Sequence, residues 1–338
     1  MAQDNRVWTL ANRPQGDLKP GDLKLETRPM PTPADGEILV QTIYLSLDPT
    51  NRVWMNEAKS YLPPVGVGDM MRGLSLGRVV SSKADGFAEG DIVIPSMGGW
   101  ADYITAPAKG SAKPPVELGA PLPAFLSVLG MTGLTAYFGL LDIGEPKPGE
   151  TVLVSAAAGA VGSIACQLAK IEGARVVGIA GSDEKCAWLT GELGIDGAIN
   201  YKTEKLSERI RALCPDGVDV YFENVGGPTL DAALAAMNNF GRIPLCGLIS
   251  NYNADTPQPG PYRFGDIIMK RLKVQGFVIL DYGRRYEEAL KALAGHLAAG
   301  KLHYKVDVVD GLENAPNALG RLFTGANAGK LMVQVSPE

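Results

Sequence analysis

The stretch that most constrains how this chain folds is residues 151–162, TVLVSAAAGAVG. Val152, Leu153 and Val154 form an apolar run without alternation, as a strand does when a parallel sheet is covered on both faces. Ala156, Gly159 and Gly162 follow at the spacing of a dinucleotide fingerprint, with Ala160 and Val161 between the last two, and an apolar helix pattern begins behind them. Small residues in such a turn let the backbone approach a pyrophosphate, whose charge is met by unpaired amides at the positive end of the helix. A larger side chain would block that approach. Glycines also occur in purely structural turns, but strand before and helix after is the context of a dinucleotide site.

A chain of 338 residues is longer than one core comfortably serves, so two domains are expected. Up to about Pro107 the apolar runs RVWTL, EILVQTIYLSL, GRVV, DIVIPS and ADYITA are short and β-rich, which predicts a mostly antiparallel domain. Pro14, Pro20, Pro29, Pro31 and Pro33 mark loops at its start. From Thr151 onward strands alternate with helices: TVLVS, a helix over 160–172, ARVVGIAG, a helix over 184–193, GAINY and a helix over 205–213. The order continues with VDVYFENVGG, a helix over 229–237, RIPLCGL and LKVQGFVIL, the pattern of a doubly wound α/β sheet. The last part adds a strand, a helix over 315–323 and a final strand, expected to return to the first domain. The expected division is therefore 1–128 with 308–338, and 129–307.

Residues 118–141 carry no charge, enough to span a bilayer, but Pro121, Pro123, Gly130, Gly133 and Gly139 interrupt them. A buried helix–turn–helix explains the same composition, with Thr132 capping the second helix and Gly144 ending it. With 37 acidic against 32 basic residues and no basic run, neither nucleic acid nor an anionic membrane is an expected partner. Cys166, Cys186, Cys214 and Cys246 are scattered without metal-ligand spacing, so neither a zinc cluster nor a disulfide framework is predicted. The opening MAQDNRVWTL lacks the pattern of a secretory leader, and a cytoplasmic protein is expected.

The second strand of the α/β part should end where the adenosine ribose lies. There the sequence reads Ala180-Gly181-Ser182-Asp183-Glu184-Lys185. Small residues at the strand end with a nearby cation favour NADP over NAD, because a 2′-phosphate needs room and positive charge. Asp183 and Glu184 oppose that, unless they serve the positive start of the next helix. Lys185 also reads simply as a solvated surface lysine.

Several blocks in this order resemble the zinc-independent medium-chain dehydrogenase/reductases, in the group of prostaglandin reductases, alkenal double-bond reductases and curcumin reductase. They are LSLDP (45–49), GMTGLTAYFGLLDIG (130–144), AAAGAVG, AGSDEK, YFENVGG (221–227), CGLISNYN (246–253), VQGFVILDY (274–282), DGLENAP (310–316) and GANAGK (325–330). The resemblance implies a Rossmann domain joined to a GroES-like β domain, NADP(H) as cofactor, no metal, and a homodimer. It implies that Gly181, Ser182, Lys185 and Tyr201 surround the 2′-phosphate. Asn224, the Cys246, Gly247, Leu248 and Ile249 stretch and Asn327 would reach the rest of the cofactor. Phe277 and Val278 would bind the nicotinamide carboxamide through their backbone, with Met131 and Thr135 on its other side. Tyr252 resembles the tyrosine that polarises the substrate carbonyl, although it also reads as an aromatic packed under a loop. Tyr61 and Tyr262 are competing phenols for substrate, and residues 251–265 look like a substrate-side loop.

Three positions depart from the family pattern: Thr50-Asn51-Arg52 replaces Tyr-Met-Arg, Thr132 replaces Pro, and Met269 stands where plant relatives carry Tyr. The chain has only His296 and His303 and no early Cys/His pair to hold a catalytic zinc. The implied chemistry is reduction of the carbon–carbon double bond of an α,β-unsaturated ketone or aldehyde, by hydride delivery to the β-carbon and protonation of the enolate. A quinone reductase and a catalytically silent NADPH-binding protein are the alternatives.

Overall fold

A computed structural model describes residues 4–58, 60–256 and 258–338. The chain divides into two units. One takes the chain up to Leu126 with Val306–Asn327 and Leu331–Glu338; the other is Ser127–Lys305 with Ala328–Lys330.

The first unit opens with β1 (Asp4–Leu10) and β2 (Leu23–Pro29), paired antiparallel from Asp4 opposite Pro29 to Leu10 opposite Leu23. β2 lies inside the segment expected to be loop. Pro20 precedes it and Pro29 is its last residue, places where a missing N–H costs the ladder little. β3 (Glu37–Ser46) is followed by α1 (Pro49–Val53), β4 (Ser75–Ser82), β5 (Ile92–Val93) and β6 (Tyr103–Pro107). β3 pairs antiparallel with both β4 and β6, and β4 pairs with β5.

The uncharged stretch does not form the expected pair of α-helices. Leu122–Leu126 is a 3-10 turn, a tighter coil suited to a segment from which Pro121 and Pro123 remove amide donors. α2 (Met131–Phe138) follows and continues as a π turn over Gly139–Gly144. Thr132 is not its cap: Gly130 holds that position, and the Thr132 hydroxyl donates to the Ser127 carbonyl at 3.0 Å. Among the described residues no helix is long and apolar enough to cross a membrane.

The second unit then alternates β7 (Thr151–Val154), α3 (Gly162–Ile171), β8 (Arg175–Ala180), α4 (Asp183–Gly191), β9 (Gly197–Asn200), α5 (Leu206–Leu213) and β10 (Val218–Phe222). It continues with α6 (Gly227–Ala236), β11 (Met237–Leu245), α7 (Asp266–Met269), β12 (Lys273–Gly276) and α8 (Tyr286–Ala298). All five strand pairs are parallel, in the order β12-β11-β10-β7-β8-β9. This is the doubly wound sheet with its first and fourth strands adjacent at the centre. β7 is buried at every residue, as its unalternating sequence requires. Leu153, Val177, Ile199, Ile210, Val218 and Ile243 form the core on one face.

The chain returns to the first unit through β13 (Val306–Asp310), α9 (Ala315–Thr324) and β14 (Lys330–Gln334), completing a sheet ordered β13-β14-β3-β4-β5 with β6 also on β3. Leu10, Leu45, Trp100, Leu319 and Val333 share one core there. Arg6 binds both Asp102 and Glu313 at 2.9 Å, tying the returning segment to the first strand.

Candidate active site

In an open α/β sheet, the connections leaving two adjacent strands in opposite directions open a crevice at their carboxyl ends. Here those strands are β7 and β10, and the residues that follow them are tied together. The Ser155 hydroxyl donates to Glu223 Oε1 at 3.0 Å and accepts the Asn224 N–H at 2.8 Å, while Asn224 Nδ2 donates to the Ser155 carbonyl at 2.7 Å. Glu223 Oε1 also accepts the Val225 N–H at 2.5 Å and the Gly226 N–H at 3.0 Å. Asn224 is thereby fixed in orientation at the switch point. Neither Ser155 nor Glu223 stood out in the sequence. The only signal was an acidic residue directly after a buried strand.

Glu223 is fully buried, and its second oxygen makes no hydrogen bond. Burial raises its pKa above the usual carboxylate range, opposed only in part by the Val225 and Gly226 amides. A carboxyl raised in the folded state contributes stability at pH values below its unfolded pKa, and that contribution is lost as pH rises through the folded value. Glu223→Gln keeps the Oε1 acceptor and removes the titration. The variant's melting temperature should therefore gain on that of the parent as pH rises from 4 to about 8, with the two closest at the acidic end. A constant difference across that range, followed by thermal melts, contradicts this origin of the shift.

The fingerprint turn departs from ideal backbone geometry at its first position. Ala156 has φ +47°, in the left-handed region that costs a Cβ-bearing residue strain. A Cβ on Gly162 would stand 2.3 Å from the Ala156 carbonyl oxygen and 2.9 Å from Ala157 Cα, whereas one on Gly159 would meet only the Ala156 oxygen, at 3.1 Å. Gly162 lets α3 start tightly against the strand end. Gly159, Ala160 and Val161 are half-buried, so they present backbone at the helix start, as a pyrophosphate cradle requires. Gly329 pairs with Gly159 as a parallel bridge, bringing Ala328–Lys330 of the GANAGK motif to this turn. Asn327, just before it, is buried.

At the end of β8, the Ser182 hydroxyl caps α4 by accepting the Lys185 N–H at 3.3 Å. Asp183 accepts a hydrogen bond from Asn200 Nδ2 at 2.7 Å, and the helix amides hold the Glu184 carboxyl below its usual range. Both acids lie in the first turn of α4, where the positive end of the helix favours them. Lys185, half-buried, is the third residue of α4, and Tyr201 follows β9 with its N–H on the Ala180 carbonyl at 3.1 Å. Gly181 lies beneath the Tyr201 ring, since a Cβ there would be 3.1 Å from Tyr201 Cε1.

Beyond β11, the amides of Cys246 and Gly247 donate to the Glu223 carbonyl at 2.9 and 3.1 Å, and the Ile249 amide donates to the Asn224 carbonyl at 3.1 Å. The same buried Glu223 thus anchors this stretch. Tyr252 ends the short turn Ile249–Asn251, and its phenol oxygen accepts the Leu248 N–H at 3.2 Å. Burial pushes the Cys246 thiol up to about 12, which keeps it protonated and unreactive. The Thr135 hydroxyl donates to the Met131 carbonyl at 2.7 Å within α2. Phe277, directly after β12, lays its ring on Gly139, where a Cβ would be 2.5 Å from Phe277 Cζ; Val278 follows it, half-buried.

Tyr61 belongs to the first unit, its hydroxyl 2.5 Å from Thr50 Oγ1, so one departure from the family pattern is paired with a candidate phenol. Asn51 accepts the Asp48 N–H at 2.7 Å and closes the start of α1. Tyr262 is 88% exposed. Pro257, within the expected substrate-side loop, lies outside the described residues. Gln167 brackets the His303 backbone, accepting its N–H at 2.7 Å and donating to its carbonyl at 2.8 Å, a structural role. Among the described residues no three His, Cys, Asp or Glu side chains gather into a metal-ligand set.

Two family models match the chain: the N-terminal domain of oxidoreductase over residues 6–113, and zinc-binding dehydrogenase over residues 160–295. The NADPH-dependent curcumin reductase of Escherichia coli (strain K12) is 43% identical, with 99% of this chain and 98% of that protein covered. Prostaglandin reductase 1 of Bos taurus is 44% identical, with 97% and 98% covered. Among solved structures, CurA of Vibrio vulnificus in complex with NADPH superposes with a TM-score of 0.92 at 43% identity, covering 98% of this chain and all of that one. Motifs, topology and these likenesses agree: the chain belongs to the zinc-independent medium-chain dehydrogenase/reductases, in the group of prostaglandin, alkenal and curcumin reductases.

Proposed function

We propose that this protein is an NADPH-dependent reductase of the activated carbon–carbon double bond in α,β-unsaturated ketones or aldehydes. The observation that carries the reading is the continuous hydrogen-bonded path from the fingerprint strand to Tyr252. Ser155, Glu223 and Asn224 join at the switch point, and Glu223 and Asn224 hold the segment on which Tyr252 sits. The names of the curcumin, prostaglandin and alkenal reductases support the substrate class.

The residues present fit a dinucleotide. In the turn from Ala156 to Gly162, Gly162 lets α3 start tightly against the strand end, because a Cβ there would meet the Ala156 and Ala157 backbone, and half-buried Gly159, Ala160 and Val161 present their backbone beside it. Gly159, Ala160, Val161 and Gly162 would hold the pyrophosphate. Gly181, Ser182, Lys185 and Tyr201 would hold the 2′-phosphate, and Asn224, Cys246, Gly247, Leu248 and Ile249 the ribose regions. Met131, Thr135, Phe277 and Val278 would flank the nicotinamide. Bound NADPH supplies a hydride to the β-carbon. Tyr252 donates a hydrogen bond to the carbonyl oxygen as charge gathers there, a phenol does this without giving up its proton, and the enolate takes its α-carbon proton from solvent water. The Leu248 amide fixes the phenol oxygen for that purpose.

We also infer a homodimer. β12 is an edge strand with all four residues exposed, and Phe240, Ile268 and Met269 are exposed in the same unit, a poor surface to leave in water. Sedimentation at the mass of a single chain contradicts this. Four unpaired cysteines suit a reducing compartment, the cytoplasm.

The test is cofactor consumption with enones, enals and quinones. Enones and enals should be turned over at least about tenfold faster with NADPH than with NADH. Turnover of quinones with simple alkenones ignored identifies a quinone reductase instead. Tight NADPH binding without turnover identifies a silent cofactor-binding protein.

A further inference from the structure

We propose that Lys202 is a second cation of the 2′-phosphate site and helps set the preference for NADP(H) over NAD(H). This rests on the reading that Lys185 and Tyr201 mark that site. A Cβ on Gly181 would stand 3.4 Å from Lys202 Cε as well as 3.4 Å from the Tyr201 hydroxyl oxygen. The far end of the Lys202 side chain and the Tyr201 phenol therefore converge over Gly181. Gly181 lies at the carboxyl end of β8, the second strand of the doubly wound sheet, where the 2′ position of the adenosine ribose falls.

The turn that carries Lys202 is fixed rather than loose. Its N–H donates to Asn200 Oδ1 at 3.1 Å, and Nδ2 of the same buried Asn200 donates to Asp183 at the start of α4. One amide side chain thus sets the Lys202 turn against the helix that carries Lys185. Around the same turn Asp183 accepts Asn200 Nδ2, and Glu204 accepts the Asn200 N–H at 2.9 Å and pairs with Arg209 at 2.5 Å. The far end of Lys202 and the Tyr201 phenol thus meet over Gly181, on a turn joined through Asn200 to the start of the helix that carries Lys185, where a doubly charged phosphate would lie.

The test is equilibrium binding by calorimetry of NADPH, NADH and 2′,5′-ADP to Lys202→Met, Lys202→Arg and Lys185→Met. Lys202→Met should weaken NADPH and 2′,5′-ADP about tenfold and leave NADH within about twofold, a charge-assisted contact being lost only where the phosphate exists. Lys202→Arg should restore most of the affinity, and the loss in Lys202→Met should shrink at high salt. If Lys202→Met binds NADPH like the parent while Lys185→Met does not, Lys202 has no such role and the site reading stands. Equal weakening of NADPH and NADH by Lys202→Met makes it a support of the turn and overturns the proposal. If neither lysine distinguishes NADPH from NADH, the reading of the site falls with it.

Discussion

Gly162→Ala should destabilise the protein by about 2–4 kcal/mol and abolish measurable NADPH binding, a large effect for one methyl group. The added Cβ would lie 2.3 Å from the Ala156 carbonyl oxygen and 2.9 Å from Ala157 Cα, both backbone atoms. Neither can retreat cheaply. Ala156 already sits at φ +47°, and the Ala157 N–H is bonded to the Ile179 carbonyl at 2.9 Å in the neighbouring strand segment. Relief therefore has to come from moving the start of α3 away from β7, which dismantles the phosphate cradle. Gly159→Ala is the informative companion. Its only close contact is 3.1 Å, so its stability should change by less than about 1 kcal/mol while cofactor affinity falls, because a methyl group then occupies the surface meant for phosphate. Urea denaturation without cofactor and calorimetry with NADPH separate the two. Full stability in Gly162→Ala would show that the turn is not as tight as its geometry states.

Tyr252→Phe should lower kcat with enones by about 100-fold and leave KM and the NADPH dissociation constant nearly unchanged, the pattern for a donor used chiefly in the transition state. The phenylalanine ring keeps the packing of the turn. It removes only the hydroxyl, and with it the weak 3.2 Å acceptor for the Leu248 amide. Residual activity is expected, because loss of one such donor lowers turnover by a few orders of magnitude without abolishing it. If every kinetic parameter survives for all substrates, Tyr252 has only a structural role.

Much of this architecture is legible in the sequence because it follows from backbone rules. The unalternating TVLV run requires burial on both faces, and the strand–helix succession behind it yields the parallel sheet. What escapes is decided by contacts distant in sequence. β2 was hidden by flanking prolines that its edge position tolerates, and α8 was passed over although Ala289 and Leu293 give it a buried stripe at helical spacing. Thr132 matched a cap by type, but the chain used Gly130 and turned the hydroxyl to Ser127. The hub of the site, Glu223, is invisible to motif reading because its work is to gather amides from Val225 and Gly226 and the Ser155 hydroxyl, 68 residues away in sequence. Ser182 shows the reverse: a residue expected beside a phosphate is also the cap of α4.

The most direct measurement of the central claim is the position of deuterium in the product when NADPH deuterated at the transferable position of its nicotinamide reduces an open-chain enone. Deuterium on the β-carbon of a saturated ketone, with the carbonyl intact, is the expected result. Deuterium on the carbonyl carbon of an allylic alcohol would contradict double-bond reduction and the role assigned to Tyr252.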